Sequence, residues 1–511
     1  MLLQRLVAVS GAVTATRRRL EKRAILAALL REAGRSRVGR VVSYLSGRLP
    51  QGRIGLGPAL LRDLGAGGAT RATLTVDDLD RCLDAVAAVA GRGARARQRA
   101  LLDGLWARAT GEEAAFLLRL LLGELRQGAL EGLLIEAIAE AAALPAAEVR
   151  RATMLAGAPA PAAEAALSGG AAALAAFRLT LLQPVQPMLA QPAGELPALF
   201  ADGATRQLEY KLDGARVQLH RAGDAVRVFS RQLHDVSSGL PEVVERVRAL
   251  PARSLILDGE VIALRADGTP HPFQTTMRRF GRRSSVERLR GELPLSVFLF
   301  DCLHLDGEDL IDRALAARLA ALDGVAPALT PPRLQTAAPA AAQRFLASAF
   351  HAGHEGLMIK DLDSPYAAGS RGAAWRKLKQ VHSLDLVVLA AEWGSGRREG
   401  WLSNLHLGAR DPAGGFVMLG KTFKGLTDAM LRWQTQQLLA LATARAGHVV
   451  QVRPALVVEI AVNELQRSDQ YAGGLALRFA RVKAYRGDKS AAEADTIDTV
   501  RALYERQGGT A

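Results

Sequence analysis

Between residues 112 and 143, Phe116, Leu117, Leu120, Leu121, Leu125, Leu130, Leu133, Leu134 and Ile138 recur at three- and four-residue intervals. That period places them on one face of a helix. Residues 1 to about 180 are expected to be helical in the same way. Gly123, Gly128 and Gly132 interrupt the pattern and predict breaks or close approaches. The stretch from Ala156-Gly157-Ala158-Pro159-Ala160-Pro161 to Gly170 predicts a loop between helices, and Gln183-Pro184-Val185-Gln186-Pro187 closes the helical region.

The period then changes. Runs at 217–220, 226–230, 255–264, 295–305 and 356–360 are strand-like, with helical patches at 241–250 and 312–322 between them. The Ala-rich stretch 337–349 predicts helix or loop. From Leu384 to Val482, short runs at 386–391, 405–409, 416–422, 449–453 and 457–461 suggest a small barrel. No internal repeat is visible. A chain of 511 residues supports roughly three domains.

Charge narrows the partners. A formal charge of +15 and a pI near 10.4 suit a polyanion, most simply nucleic acid, although an Arg-rich solvated surface gives the same totals. Cys82 and Cys302 are too few for a disulfide framework or a four-cysteine zinc site. No apolar run is long enough to span a bilayer, and the first residues lack the pattern of a signal peptide, so a cytoplasmic protein is expected. Of 66 basic residues 9 are lysine, and eight of these lie at or after position 211. A chain that uses arginine nearly everywhere keeps lysine where an amine must lose a proton, which arginine cannot do.

Lys211 stands in Glu209-Tyr210-Lys211-Leu212-Asp213-Gly214-Ala215-Arg216. It is either a surface lysine at a strand-to-turn junction or an amine nucleophile. Trp375-Arg376-Lys377-Leu378-Lys379 puts two lysines on one face of a strand. Beside Lys211 they are expected to lower its pKa and hold phosphate; alone they read as solvated charges. Asp258-Gly259-Glu260 and Glu355-Gly356 offer carboxylates of the kind Mg²⁺ accepts, or simple turn acids. Phe300 is a core ring or a base-stacking one. Arg231 and Arg371 are surface arginines or phosphate and ribose contacts.

In this order and spacing, with Glu355-Gly356-Leu357-Met358-Ile359-Lys360 between them, these motifs resemble the series of the covalent nucleotidyltransferases, and more narrowly the ATP-dependent DNA ligases of archaeal and bacterial type. The resemblance covers nearly the whole chain. It includes Tyr44 to Pro50 and Gly123 to Gly128 in the helical region. At the end it includes Arg478-Phe479-Ala480-Arg481, where Ala480 replaces an expected proline, and Gly487-Asp488-Lys489-Ser490. The resemblance implies a multidomain fold: an all-α DNA-binding domain (1–180), an α+β nucleotidyltransferase or adenylation domain (181–382) and an all-β OB-fold domain (383–511). It also implies sealing of 5′-phosphate/3′-hydroxyl nicks in duplex DNA through a lysyl-AMP and then an adenylated DNA. Lys211 is the implied nucleophile. Glu209 would read the adenine amino edge and Phe300 would stack on the ring. Arg216, Arg231 and Glu260 would surround ribose and phosphates, and Arg371, Lys377 and Lys379 would neutralise the α-phosphate. Asp488 and Lys489 would orient pyrophosphate after the barrel swings about a hinge near 380–385. Glu260 and Glu355 are the implied ligands of Mg²⁺, with Mn²⁺ as an alternative. Arg48, Arg53 and Arg126 are implied phosphate contacts of a monomer that encircles DNA.

An RNA ligase or a capping guanylyltransferase lacks the long helical amino-terminal region. An NAD-dependent ligase carries a zinc-binding cysteine set that two cysteines cannot supply. A basic nucleic-acid-binding protein on a decayed scaffold would have no reason to keep lysines 211, 377 and 379.

Overall fold

The computed structural model describes residues 1–52, 54–125, 131–282, 285–367, 372–379 and 381–506. Arg53, Arg126, Gly128, Arg371 and Gln380, singled out above, lie outside the described residues. Among the described residues, ten α-helices run from Leu3–Ala15 to Pro159–Ala175. The segment expected to be one interrupted helix is two, Gly111–Leu121 and Glu131–Ala142. Gly123 takes φ 70°, whereas Gly132 stays inside its helix with open space beside it. Thr110 caps the first of the pair in a reciprocal box with Glu113, which satisfies two exposed N–H groups.

The loop expected over 156–170 is a correction. Helix Ala146–Ala156 ends on Gly157 in the left-handed region, and Pro159 opens a new helix, Pro159–Ala175, kinked at Gly170. Proline at the first helical position has its φ preset and no N–H to lose, so the proline there starts a helix instead of breaking one. The last region also departs from an all-β domain, because it carries helices Asp428–Ala440 and Ile497–Arg506.

Two five-stranded sheets follow the helices. One is ordered Gln191–Pro192, Trp375–Lys379, Gly356–Asp361, Arg206–Lys211, Arg333–Thr336. The other is ordered Ala225–Ser230, Ala215–Ala222, Ser254–Ala263, Leu295–Leu305, Glu308–Asp309. A seven-stranded sheet built on the long strand His382–Trp393 occupies the last region. The apolar cluster of Met154, Leu155, Val185, Met188, Ile256, Leu303, Ile311, Tyr366 and Trp375 crosses the seam between the helices and the sheets. Its members come from both sides, so the helical region and the sheet that carries Trp375 share one core.

Candidate active site

Strand pairing assembles one chemically dense face. Glu209 and Lys211 alternate with Tyr210 and so point the same way. Across the antiparallel pairing Glu209 faces Met358, Gln207 faces Lys360 and Lys211 faces Gly356. On the other side of that strand Lys360 faces Trp375, Met358 faces Lys377 and Gly356 faces Lys379. Glu209, Lys211, Lys360, Trp375, Lys377 and Lys379 therefore share a face. Gly356 is required between the two lysines: its φ is 143°, and a Cβ there would sit 2.1 Å from the Leu378 carbonyl. Gly214 is equally confined, 2.3 Å from the Val261 carbonyl on the same test, and this lets the turn after Lys211 lie flat on the second sheet.

Glu355 sits between two ammonium groups. Its Oε2 is 2.5 Å from Lys211 Nζ and its Oε1 is 2.5 Å from Lys379 Nζ. The expected drop in the Lys211 pKa is therefore corrected for the nucleotide-free protein. Burial lowers it, but Glu355, Glu260 and Asp213 outweigh burial and hold the amine above its ordinary value. Burial works to raise Glu355, and the two lysines more than reverse it. Glu260 faces Arg216 across its strand pair, and burial pushes it up to about 7 in the company of Asp213 and Asp258.

Glu209 is nearly inaccessible and pairs with Lys360 at 2.6 Å. Burial raises its pKa against that cation. Lys360 also donates to the Phe300 carbonyl at 2.9 Å and lies 4.7 and 4.5 Å from the Phe300 and Trp375 ring centroids. Arg216 is held by both oxygens of Asp258 and by the Met188 carbonyl. Tyr366 donates to the same Asp258 at 2.6 Å. Glu209, Lys211, Arg216, Glu260, Lys360 and Trp375 line one cavity of about 730 Å³ together with Arg231, Phe300, Lys377, Lys379 and, from the last region, Asn463, Arg478, Phe479 and Arg481. The volume suits a nucleotide.

The structure does not bring Asp488 and Lys489 to the cavity. Asp488 pairs with Arg486, and Lys489 and Arg486 both pair with Asp385 near the start of the long strand His382–Trp393. Arg478 reaches the cavity instead. It contacts Asp213 at 2.8 Å, pairs with Glu464, and lies 3.9 Å from the Phe273 ring centroid. In the helical region Arg48 is exposed and stands 3.8 Å from Glu131.

The sequence matches the ATP dependent DNA ligase domain over residues 187–379, the DNA ligase N terminus over 61–139 and the ATP dependent DNA ligase C terminal region over 398–489. A "Probable DNA ligase" of Anaeromyxobacter sp. (strain Fw109-5) is 59% identical over 512 residues, 99% of each chain. The chain belongs to the ATP-dependent DNA ligase family. Another "Probable DNA ligase", of Mycolicibacterium gilvum, is 56% identical over 99% of this chain and 100% of its own. A solved structure named Pmar-Lig_PreS3 shares the fold at TM-score 0.62 and 20% identity, over 94% of this chain and 99% of that one. This ligase uses ATP to seal nicks in DNA through adenylate intermediates, and the N-terminal helical, adenylation and C-terminal domains of the family are all present.

Sequence reasoning missed three residues of the ligase cavity. Lys360 was visible at the end of its motif, but its side was not: pairing with Trp375 turns it inward. Trp375 was read only as a neighbour of the lysines, yet it is 1% exposed, and its indole N–H has no acceptor among the described residues. Arg478 carried the motif signal but no hint that Asp213 is its partner.

Proposed function

We propose that Lys211 is the adenylated amine and that the surrounding cavity is built for one nucleotide and its triphosphate. The observation that carries this is the shared sheet face, where a nearly buried lysine lies within 2.5 Å of a carboxylate that also holds Lys379. The raised pKa keeps the amine protonated at neutral pH, so a proton must leave before nitrogen can attack phosphorus. Glu355 is the acceptor within reach. The free amine then bonds to the α-phosphorus of ATP and the bond to pyrophosphate breaks. A 5′-phosphate oxygen at the nick next takes the AMP from nitrogen. The 3′-hydroxyl finally attacks that phosphate and expels AMP.

Phe300 would stack on the base, and Glu209 would take its amino edge once Lys360 shares the charge. Arg216 and Arg231 would border the ribose. Lys377 and Lys379 would offset charge on the α-phosphate. Glu260 and Glu355 fit a divalent cation: Glu260 is a buried carboxylate among other acids, and Mg²⁺ takes one or two carboxylates plus phosphate oxygens. Such a cation supplies charge neutralisation at the triphosphate. Asp488 and Lys489 would reach pyrophosphate only after the last region turns and breaks their pairing to Arg486 and Asp385. Domain limits of 1–180, 181–382 and 383–511, an OB-fold in the last domain, and a cytoplasmic monomer closing around DNA complete the proposal. No helix among the described residues is long and apolar enough to cross a membrane.

The test is incubation with α-labelled ATP and Mg²⁺, followed by nicked duplex. A labelled protein that loses its label as the nick closes, with the adenylate mass on Lys211, is the expected result. Label on another residue would remove the assignment.

A further inference from the structure

Phe423 and Phe479 are large apolar side chains that remain about half exposed, at 54% and 51%. They stand on one rigid ridge. Thr422 donates its hydroxyl to the Ala480 carbonyl at 2.6 Å, and the Val482 N–H donates to the Lys424 carbonyl at 3.0 Å. Gly425 packs so closely that a Cβ would lie 2.1 Å from the Val482 carbonyl. The ridge starts at the cavity, which Phe479 lines, and runs outward.

Each ring carries a cation. Lys424 Nζ lies 5.3 Å from the Phe479 centroid. The Arg398 guanidinium lies 5.9 Å from the Phe423 centroid and donates to the Phe423 carbonyl. Among the described residues, neither Arg398 nor Lys424 has a carboxylate partner, although Arg397 next door pairs with Asp428. Exposed rings interleaved with unneutralised cations match a nucleic-acid strand, where apolar sugar and base surfaces alternate with phosphates.

We propose that Phe423, flanked by Arg398 and Lys424, is a contact for the nicked duplex outside the nucleotide cavity. Its ring packs against the sugar and base-edge surface beside the break, and the two cations meet the adjoining phosphates. This rests on the ligase reading above. The ridge is continuous with the cavity, so a duplex whose 5′-phosphate enters the cavity passes over it.

The experiment uses the full-length protein and a fluorescent nicked duplex, with Kd measured over a range of salt concentrations. Phe423→Ala raises Kd about tenfold, the scale of losing one stacked surface, and leaves the salt slope unchanged because no charge is lost. Lys424→Ala lowers that slope by about one. Phe423→Trp restores wild-type binding. Phe423→Leu, which keeps apolar bulk but no flat ring, stands in if the alanine variant does not fold, as judged by its uptake of labelled AMP. Binding by Phe423→Ala and Phe423→Leu within twofold of wild type overturns the proposal, and so does a changed salt slope in either. Wild-type protein that takes up AMP yet neither binds nor seals nicked duplex overturns the ligase reading itself. Wild-type sealing with no effect of the Phe423 variants overturns the ridge alone.

Discussion

The helical region and the cavity use basic residues in opposite ways. In the helices arginines pair at the surface. Arg19 meets Glu136 with its own side chain 65% exposed, Arg23 meets Glu140, and Arg37 and Arg40 share Asp77. Such pairs lie in high dielectric, are screened by salt and contribute little each. The cavity keeps arginines too, but it adds lysines held where water is scarce: Lys211 is 19% exposed and Lys360 1%. There each charge depends on a named carboxylate, and removing the carboxylate strips the lysine of its ion pair. Guanidinium suits a permanent positive surface, and ammonium suits a site where charge must come and go.

The comparison breaks first at the nucleophile. Lys211→Ala should remove lysyl-AMP formation by on the order of 10⁴-fold or more, measured with labelled ATP; a variant that still takes up AMP would mean the cavity lysine is as dispensable as a surface arginine. Trp375→Ala comes next. It empties a fully buried position in the core shared by helices and sheets. It should destabilise the protein by about 3–5 kcal/mol in urea denaturation, with weaker ATP binding.

A smaller effect separates the regions by pH. Glu260 has its pKa raised to about 7. Its contribution to stability is fully present below the ordinary carboxylate pKa and is lost as pH rises through about 7. Glu260→Gln should therefore match wild type near pH 5 and exceed it by about 2–3 kcal/mol at pH 8 in metal-free buffer. Parallel stability curves for the two proteins would show that burial of Glu260 carries no such cost. The smallest effect belongs to the helices. A double-mutant cycle on Arg19 and Glu136 should give a coupling of about 0–1 kcal/mol that fades with added salt; a coupling as large as that of a buried pair would erase the contrast.

Much of this was legible from residue order. The runs at 295–305 and 416–422 became strands Leu295–Leu305 and Phe416–Thr422 without change of limits. Lys211, Glu209, Phe300, Lys377 and Lys379 do line one cavity. What failed has physical reasons. Periodicity cannot tell a proline that opens a helix from one that ends it, so the loop expected over 156–170 falls mostly within helix Pro159–Ala175. Two lysines near a third suggested repulsion, because the carboxylate between them comes from a distant strand end. Asp488 and Lys489 carried the right motif but pair with Arg486 and Asp385, since a motif fixes residue type and not the position of the region that carries it.

Glu355 counts two ammonium groups as its neighbours. In the proposed intermediate the Lys211 nitrogen is bonded to phosphorus and bears no positive charge, and only Lys379 remains to balance the carboxylate. The bonded phosphate brings a negative charge of its own, so the loaded and unloaded enzymes differ by two units of charge at the floor of the cavity. The protein carries an electrical record of whether it is armed, written beside the position where the broken strand must enter.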